Sequence, residues 1–248
     1  MNKLSIRLII LISLVSLYSC VQTESSKPVS STRPFILESS NHIICVLDRD
    51  ETPDNLARQY LGDKKKAWMI EDTNPGANYN TDDAIIIPLT NYNKAGLFKN
   101  GYQTVPILCY HRFAQNCSSS LCVPRDLFYK QMKYLKDNNY RVITLEMLSQ
   151  YLNYKKPIPK KSVVITIDDG YKSVYEVAFP ILKQFGFTAT LFIYTDFVSG
   201  GSAMSWKQIK EMKDAGFEIG SHTVSHADLV LKKDNETPKK YIDRITHE

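Results

Sequence analysis

From Val105 onwards the sequence alternates short apolar runs with longer amphipathic segments, and this alternation limits the possible folds more than any other feature. The apolar runs predict strands at 105–110, 141–143, 163–167, 188–194 and 217–220. The other segments predict helices at 125–138, 145–153, 172–185, 205–215 and 237–247. Continuous apolar strands that alternate with helices are typical of an α/β domain with a mostly parallel sheet.

Two polar motifs follow strands of this predicted sheet. ITIDDG places Asp168 and Asp169 at the end of one strand, and GSHTVSH places His222 and His226 after another. Each motif alone is weak, because Asp-Asp-Gly is often only a turn and spaced histidines are common. Together, at strand ends that share one edge of the sheet, a carboxylate and two imidazoles are a common ligand set for a catalytic divalent metal. The second carboxylate is placed to act as a base, so the pattern predicts metal-assisted hydrolysis.

The same segments resemble a known family. TIDDG at 166–170 resembles the TFDDG motif of the NodB-homology polysaccharide deacetylases (carbohydrate esterase family 4), and SHTVSH at 221–226 resembles their second motif. The runs VPILCYHRF at 105–113 and FTATLFI at 187–193 are similar to strands of that family. The resemblance extends from about residue 105 to the end of the sequence, with the motifs in the family's order.

This resemblance implies a distorted (β/α) barrel that removes acetyl groups from N-acetylated sugars. It implies that Asp169, His222 and His226 hold the metal, most often zinc, and that Asp168 is the general base.

Two further side chains are weaker candidates. In family branches that open with a Tyr-His pair, the histidine that corresponds to His111 lies near the pocket, where it would contact substrate or support a ligand. The alternative is a histidine satisfied by backbone groups at the barrel mouth. Trp206 could stack on a sugar ring, but a core position on an amphipathic helix explains it equally well.

The family pattern is incomplete after His226. Family members continue with an arginine that positions the catalytic aspartate, an oxyanion donor and a Leu-x-His whose histidine is the general acid, and none of these can be placed here. His247 lies in a predicted polar helix rather than after a strand. We therefore expect an incomplete barrel, truncated in its C-terminal part. Either the sequence is a fragment of an enzyme, or it is a naturally shortened relative without activity.

The first twenty residues predict an export signal. Lys3 and Arg7 precede the apolar stretch Leu8–Leu17, which is too short for a confident transmembrane span. The ending at Cys20 resembles a bacterial lipobox, which implies lipidation of this cysteine and a lipoprotein of the cell envelope, on the outer membrane or periplasmic side in a Gram-negative cell. The alternatives are a plain signal peptide or an uncleaved anchor. Residues 21–34, rich in Ser, Thr and Pro, are interpreted as a tether.

Residues 35–90 predict a small α+β domain. The predicted elements are a strand, two helices and a strand, at His42–Leu47, Asn55–Leu61, Lys66–Thr73 and Ala84–Pro88. Asp54 is the predicted N-cap of the first helix, and Gly62 is the glycine expected after its end. Residues 91–104 are polar and are interpreted as a linker to a deacetylase domain at 105–248.

This βααβ order resembles a LysM domain, a small glycan-binding module. The residues that carry the resemblance are Val46, Glu51, Thr52, Leu56, Ala57, Tyr60, Gly62, Trp68, Ile70, Asn74 and 85–88. The resemblance implies binding to N-acetylglucosamine polymers such as peptidoglycan or chitin. The match is partial, because Asp50 replaces the usual glycine, and the alternative is a spacer without a ligand.

Export would place the cysteines in an oxidising compartment, where disulfides form and persist. Cys117 and Cys122 enclose a short loop that a disulfide could close, whereas Cys45 and Cys109 lie in apolar runs and are predicted to be buried thiols.

The net charge of +5 is mild and spread along the chain, so a nucleic-acid partner is not expected. We expect a hydrolase that deacetylates a cell-envelope or exported polysaccharide containing N-acetylglucosamine. The alternatives are an envelope glycan-binding lipoprotein with a vestigial deacetylase domain, or another metal-dependent amidohydrolase or esterase.

Overall fold

The computed structural model describes residues 35–91 and 93–248. The predicted signal peptide, the lipidation of Cys20 and the tether at 21–34 lie outside the described residues. Within the described residues, no helix is both long and apolar enough to cross a bilayer.

The first unit of the described chain, residues 35–90, is a small antiparallel sheet with two helices. Its strands are β1 (Phe35–Glu38), β2 (His42–Val46) and β3 (Ala84–Pro88), in the order β1-β2-β3. Helices α1 (Pro53–Leu61) and α2 (Ala67–Thr73) lie between β2 and β3 in sequence. Alternate residues of β2 and β3 face the helices and form a separate apolar core with them. The predicted strand–helix–helix–strand order is present, and β1 is an additional strand that the sequence pattern did not predict.

Helix α1 begins at a different residue from the predicted one. The side chain of Thr52, not Asp54, is the N-cap, and it accepts a hydrogen bond from the amide of Asn55 at 3.3 Å. Pro53 follows at the first helical position, where a missing N–H costs nothing. The prediction of Asp54 as cap was therefore wrong. Gly62 ends the helix in the left-handed region at φ 72°, as predicted.

The predicted linker contains regular structure. Strands β4 (Leu97–Phe98) and β5 (Gly101–Tyr102) form a short antiparallel hairpin inside residues 91–104. This segment is therefore not a plain extended connection.

Polar contacts join α2 to the larger α/β part of the chain. The carboxylate of Glu71 pairs with the guanidinium of Arg141. The amide of Lys160 donates to the carboxylate of Asp72 at 2.9 Å, and its ammonium donates to the Asp72 carbonyl at 3.1 Å. Burial raises the pKa of Asp72, although these cationic neighbours and the Lys160 amide act against it.

The larger part contains seven further strands. They are β6 (Ile107–Tyr110), β7 (Arg112–Ala114), β8 (Cys122–Pro124), β9 (Arg141–Val142), β10 (Ser162–Asp169), β11 (Thr190–Ile193) and β12 (Glu218–Ser221). Five of them form one sheet in the order β12-β11-β10-β6, with β9 also beside β10, and all of its pairings are parallel. Strands β7 and β8 form a separate parallel pair.

Five helices accompany these strands. They are α3 (Arg125–Asp137), α4 (Leu145–Leu152), α5 (Phe179–Phe185), α6 (Trp206–Asp214) and α7 (Pro238–His247). The helix predicted at 172–185 begins instead with a π-helical turn over Val174–Ala178. Pro180, at the start of α5, has no N–H to donate to an α-helical ladder at this point.

Helices alternate with the strands along the chain as predicted, and among the described residues the sheet does not close into a barrel. Strand β10 lies at its centre and is buried along nearly its whole length, which explains the unbroken apolar run that marked it in the sequence. Phe128, Met132, Leu182 and Leu191 from neighbouring elements are fully buried against it.

Glu218 ties β12 to the start of α4. Its carboxylate accepts hydrogen bonds from the Thr190 hydroxyl at 2.6 Å and from the amides of Leu145 and Glu146 at 2.9 and 3.3 Å. Burial alone would raise the pKa of Glu218, but these hydrogen bonds outweigh it and hold the pKa below its ordinary value.

Candidate functional site

The polar residues singled out by the sequence come from three parallel strands of one sheet. Asp168 and Asp169 end β10, His111 directly follows β6, and His222 directly follows β12. Parallel strands bring their carboxyl ends to the same edge, which is where open α/β sheets place their ligands. The amide of His222 donates to the carbonyl of Ile193 on β11 at 2.9 Å, so this loop is attached to the neighbouring strand.

Asp169, His222 and His226 form one compact group of potential metal ligands. The Oδ1 atom of Asp169 lies 3.5 Å from Nε2 of His222 and 3.2 Å from Nε2 of His226. Ligand bonds of about 2.0–2.3 Å that meet at a tetrahedral angle place neighbouring donor atoms roughly 3.3–3.6 Å apart. Both separations therefore match the edges of a tetrahedral coordination sphere.

The Asp169 carboxylate gives an independent indication that this group suits a cation. Its side chain is only 8% exposed, and Oδ1 is buried without a hydrogen-bond partner. Neither imidazole contact has hydrogen-bond geometry, despite the short distances. A buried carboxylate oxygen without a donor is costly, and a bound divalent cation would compensate it.

The backbone around these ligands is unusual. Asp169, Thr223 and His226 have φ angles of 74°, 68° and 60°, in the left-handed region that non-glycine residues seldom adopt. Such conformations cost about 1–3 kcal/mol each and are concentrated at functional sites. The hydroxyl of Thr223 accepts from the amide of Ala227 at 3.1 Å and closes the turn that carries His226. The sequence offered no signal for the left-handed threonine.

The second carboxylate, Asp168, lies beside a thiol and an imidazole. Its Oδ2 accepts from the Sγ of Cys109 at 3.4 Å and lies 3.9 Å from Nε2 of His111. The side chains of Asp168 and His111 are 18% and 24% exposed, so solvent reaches both. His111 therefore lies in the site, adjacent to the predicted base.

Cys109 differs from its prediction, whereas Cys45 agrees with its own. Cys109 is exposed rather than buried, and Ile107 two residues earlier is also exposed, so the face of β6 that these two residues share is uncovered. Partial burial raises the pKa of the Cys109 thiol, a hydrogen bond with Thr166 lowers it, and the neighbouring Asp168 carboxylate raises it. Cys45 is buried in the core of the first unit.

Aromatic residues line the histidine side of the site. The Tyr194 ring lies 5.1 Å from the His226 ring and stacks on Phe197 at 5.0 Å. Burial raises the pKa of the Tyr194 hydroxyl. Trp206 is 57% exposed at the first position of α6, so the alternative of a core position for it is wrong.

A cavity of about 440 Å³ lies next to the site. Its lining includes Arg112, which directly follows His111, and Tyr171, which directly follows Gly170. The Arg112 guanidinium lies over the Tyr171 ring at 5.7 Å. Cys117 and Cys122 form a disulfide, and Cys122 also contributes to the cavity wall.

A parallel α/β sheet whose carboxyl edge carries an Asp-His-His group with a second carboxylate beside it is a candidate metal site of the kind found in hydrolases. The comparisons with known proteins agree with this class. The family model described as polysaccharide deacetylase matches residues 155–248. Residues 155–248 of this chain are therefore similar to the polysaccharide deacetylase family.

Curated relatives support the same assignment. YxkH of Bacillus subtilis (strain 168), which is named for this family, is 35% identical over 150 residues, covering 58% of this chain and 53% of the relative. A poly-beta-1,6-N-acetyl-D-glucosamine N-deacetylase of Staphylococcus aureus (strain MRSA252) is 37% identical over 123 residues, covering 46% of this chain and 41% of the relative. The chain thus spans about half the length of the curated relatives it matches.

Among solved structures, a de-N-acetylase from Aggregatibacter actinomycetemcomitans has a similar fold. It matches with a TM-score of 0.51 at 24% identity, over 56% of this chain and 69% of the other. This likeness concerns the fold alone.

Proposed function

We propose that this protein is a metal-dependent hydrolase that removes acetyl groups from N-acetylated sugars of a cell-envelope or exported polysaccharide. The observation that carries the proposal is the buried, unpartnered Oδ1 of Asp169 within 3.5 Å of two imidazole nitrogens. The family match and the Staphylococcus aureus relative, which is named for poly-beta-1,6-N-acetyl-D-glucosamine, support the substrate class.

The residues divide the chemical work between them. Asp169, His222 and His226 would hold the metal, which we propose to be zinc because nitrogen and oxygen donors at tetrahedral spacing suit that ion. Such an ion, when bound, supplies a Lewis acid that polarises an amide carbonyl and makes water more acidic. Asp168 accepts the proton of the attacking water, and its partly exposed carboxylate is open to that water. The neighbouring His111 would orient the base or contact the sugar.

The rest of the chain would place this site at its substrate. We propose residues 1–20 as a lipoprotein signal with lipidation at Cys20, 21–34 as a tether, and 35–90 as a LysM-like unit that binds N-acetylglucosamine polymers. Residues 91–104 would connect this unit to the deacetylase domain at 105–248. The observed β2-α1-α2-β3 order supports the LysM-like interpretation, and the exposed Trp206 could stack on a sugar ring.

The test combines metal content with acetate release. The full chain, purified in detergent, is supplied with one equivalent of zinc and incubated with N-acetylglucosamine oligomers. We expect zinc to bind and acetate to be released. Asp168→Asn should keep the zinc and lose about 10²–10⁴-fold in rate, because it lacks a base. Asp169→Asn should lose acetate release and the zinc that is held by His222 and His226.

The matched control is Asp137→Asn, which removes an exposed carboxylate on α3 and should change neither measurement. Absence of zinc from the wild-type protein, or full activity of Asp168→Asn, would contradict the assigned roles. Zinc binding without acetate release, together with retention on peptidoglycan, would replace the proposal with a glycan-binding lipoprotein whose hydrolase domain is vestigial.

A further inference from the structure

A second group of potential ligands lies beside the Asp-His-His group. It consists of Cys109 on β6, His111 directly after β6, and Asp168 near the end of β10. The parallel pairing of β6 with β10 sets Cys109 opposite Thr166 and Tyr110 opposite Ile167, so His111 is brought level with Asp168. The strand register therefore brings the backbone positions of these three residues together.

The donor atoms of this group have the spacing of a coordination site. Sγ of Cys109 and Nε2 of His111 lie 3.4 and 3.9 Å from Oδ2 of Asp168, and a set of one donor atom from each residue lies within 4.8 Å of one another. Tetrahedral ligands around zinc lie roughly 3.3–3.6 Å apart, so small rotations about side-chain bonds would complete the geometry. All three residues are at least partly exposed, which gives an ion access from solvent.

We propose that Cys109, His111 and Asp168 form a second cation site, selective for thiophilic divalent ions such as zinc or cadmium. A thiolate and an imidazole favour these ions over magnesium or calcium, which prefer oxygen ligands. The Cys109 thiol releases its proton to solvent when the metal–sulfur bond forms.

Occupation of the second site changes the role of Asp168. A carboxylate oxygen that ligates an ion is no longer available to accept a proton from water. The second ion therefore inhibits the hydrolase that we propose, and excess zinc acts against the zinc that activates. This regulatory part depends on the proposed function, whereas ion binding at the second site does not.

Cobalt(II) separates the two sites, because only the second contains sulfur. The full chain is titrated with cobalt while the near-ultraviolet and visible spectra are recorded. We expect two ions per chain, one of them accompanied by a cobalt–thiolate charge-transfer band. Cys109→Ser should lose that band and one ion and keep the other ion. The matched control Cys45→Ser removes a distant thiol in the first unit and should keep both ions and the band.

The same proteins are then assayed with rising zinc. In the wild type, activity should rise with the first equivalent and fall with excess, and the fall should be lost in Cys109→Ser. A single bound ion without a thiolate band in the wild type, or a second ion retained by Cys109→Ser, would overturn the second site. If the wild type binds an ion at the thiolate site but none at the Asp-His-His group, the proposed function is contradicted instead, because His222 and His226 belong only to that group.

Discussion

Replacement of Asp169 by Asn should make the metal-free protein more stable and the metal-treated protein less stable than the wild type. Asparagine keeps the shape of the side chain and is among the residues that best tolerate the left-handed φ of 74° found here. It removes the negative charge from an oxygen that is buried without a hydrogen-bond partner. It also removes the only carboxylate of the Asp-His-His group.

The size of the effect follows from two terms of opposite sign. A buried oxygen without a hydrogen-bond partner costs about 1–3 kcal/mol, and more when it is charged, so neutralising it should raise the free energy of unfolding of the metal-free protein by about 1–3 kcal/mol. With about 3 °C per kcal/mol for a chain of this size, the midpoint of unfolding rises by roughly 3–9 °C. A metal at a concentration of about 1,000 times its Kd stabilises the wild type by about 4.1 kcal/mol through the Asp-His-His group, and the variant should lack this contribution.

The assay is thermal unfolding followed by circular dichroism at about pH 8, where free imidazole is neutral. Each protein is measured in excess chelator and again in zinc. The order of stability should invert between the two conditions. Asp137→Asn changes an exposed residue and should alter the free energy of unfolding by no more than about 0.5 kcal/mol in either condition. If Asp169→Asn unfolds below the wild type in chelator, the Asp169 carboxylate is satisfied in the native protein, and the reasoning from its unpartnered oxygen fails.

Three other predictions concern the stability of the fold. Gly220→Ala places a Cβ 2.6 Å from an aromatic ring on β11 and should cost about 1–3 kcal/mol in urea unfolding, whereas Gly201→Ala, with open space around it, should cost less. Glu218→Gln should lower the free energy of unfolding most at neutral pH. The pKa of Glu218 in the folded protein lies below the ordinary 4.5, so the stabilisation from its carboxylate is fully present above 4.5. This stabilisation is lost as the pH falls through the folded-state pKa. Pulse proteolysis at several pH values measures the difference in stability between the wild type and Glu218→Gln. We expect this difference to shrink as the pH falls, and a constant difference would contradict the prediction. Thr52→Ala should cost about 1 kcal/mol by loss of the N-cap, and Asp54→Ala should cost less, as measured by chemical denaturation.

The sequence predicted the central sheet well because burial leaves a clear pattern there. Strand β10 is covered on both faces, so its apolar run is continuous and its end at Asp168 and Asp169 is unambiguous. The two histidines could be placed beside them because parallel strands must share an edge. These inferences needed only local pattern and the geometry of a parallel sheet.

The incorrect or missing predictions concern features that depend on tertiary context. Cys109 lies in an apolar run, but only the tertiary structure shows that the face of β6 that it shares with Ile107 is uncovered. Either Thr52 or Asp54 could cap α1, and the choice depends on where Pro53 starts the helix. The left-handed backbone at Thr223 follows from loop closure, for which a threonine gives no signal.

The contacts of α2 with Arg141 and Lys160 have a consequence for the length of a polymer that this chain could engage. Arg141 pairs with Ser162 at the first residue of β10, whereas Asp169 is the last. The first and last of these eight strand residues are seven steps of about 3.3 Å apart, which separates the two ends by roughly 23 Å. The α2 residues that contact Arg141 and Lys160 therefore lie near the opposite end of β10 from the Asp-His-His group. In the function proposed above, a glycan that contacts both places must span about this distance.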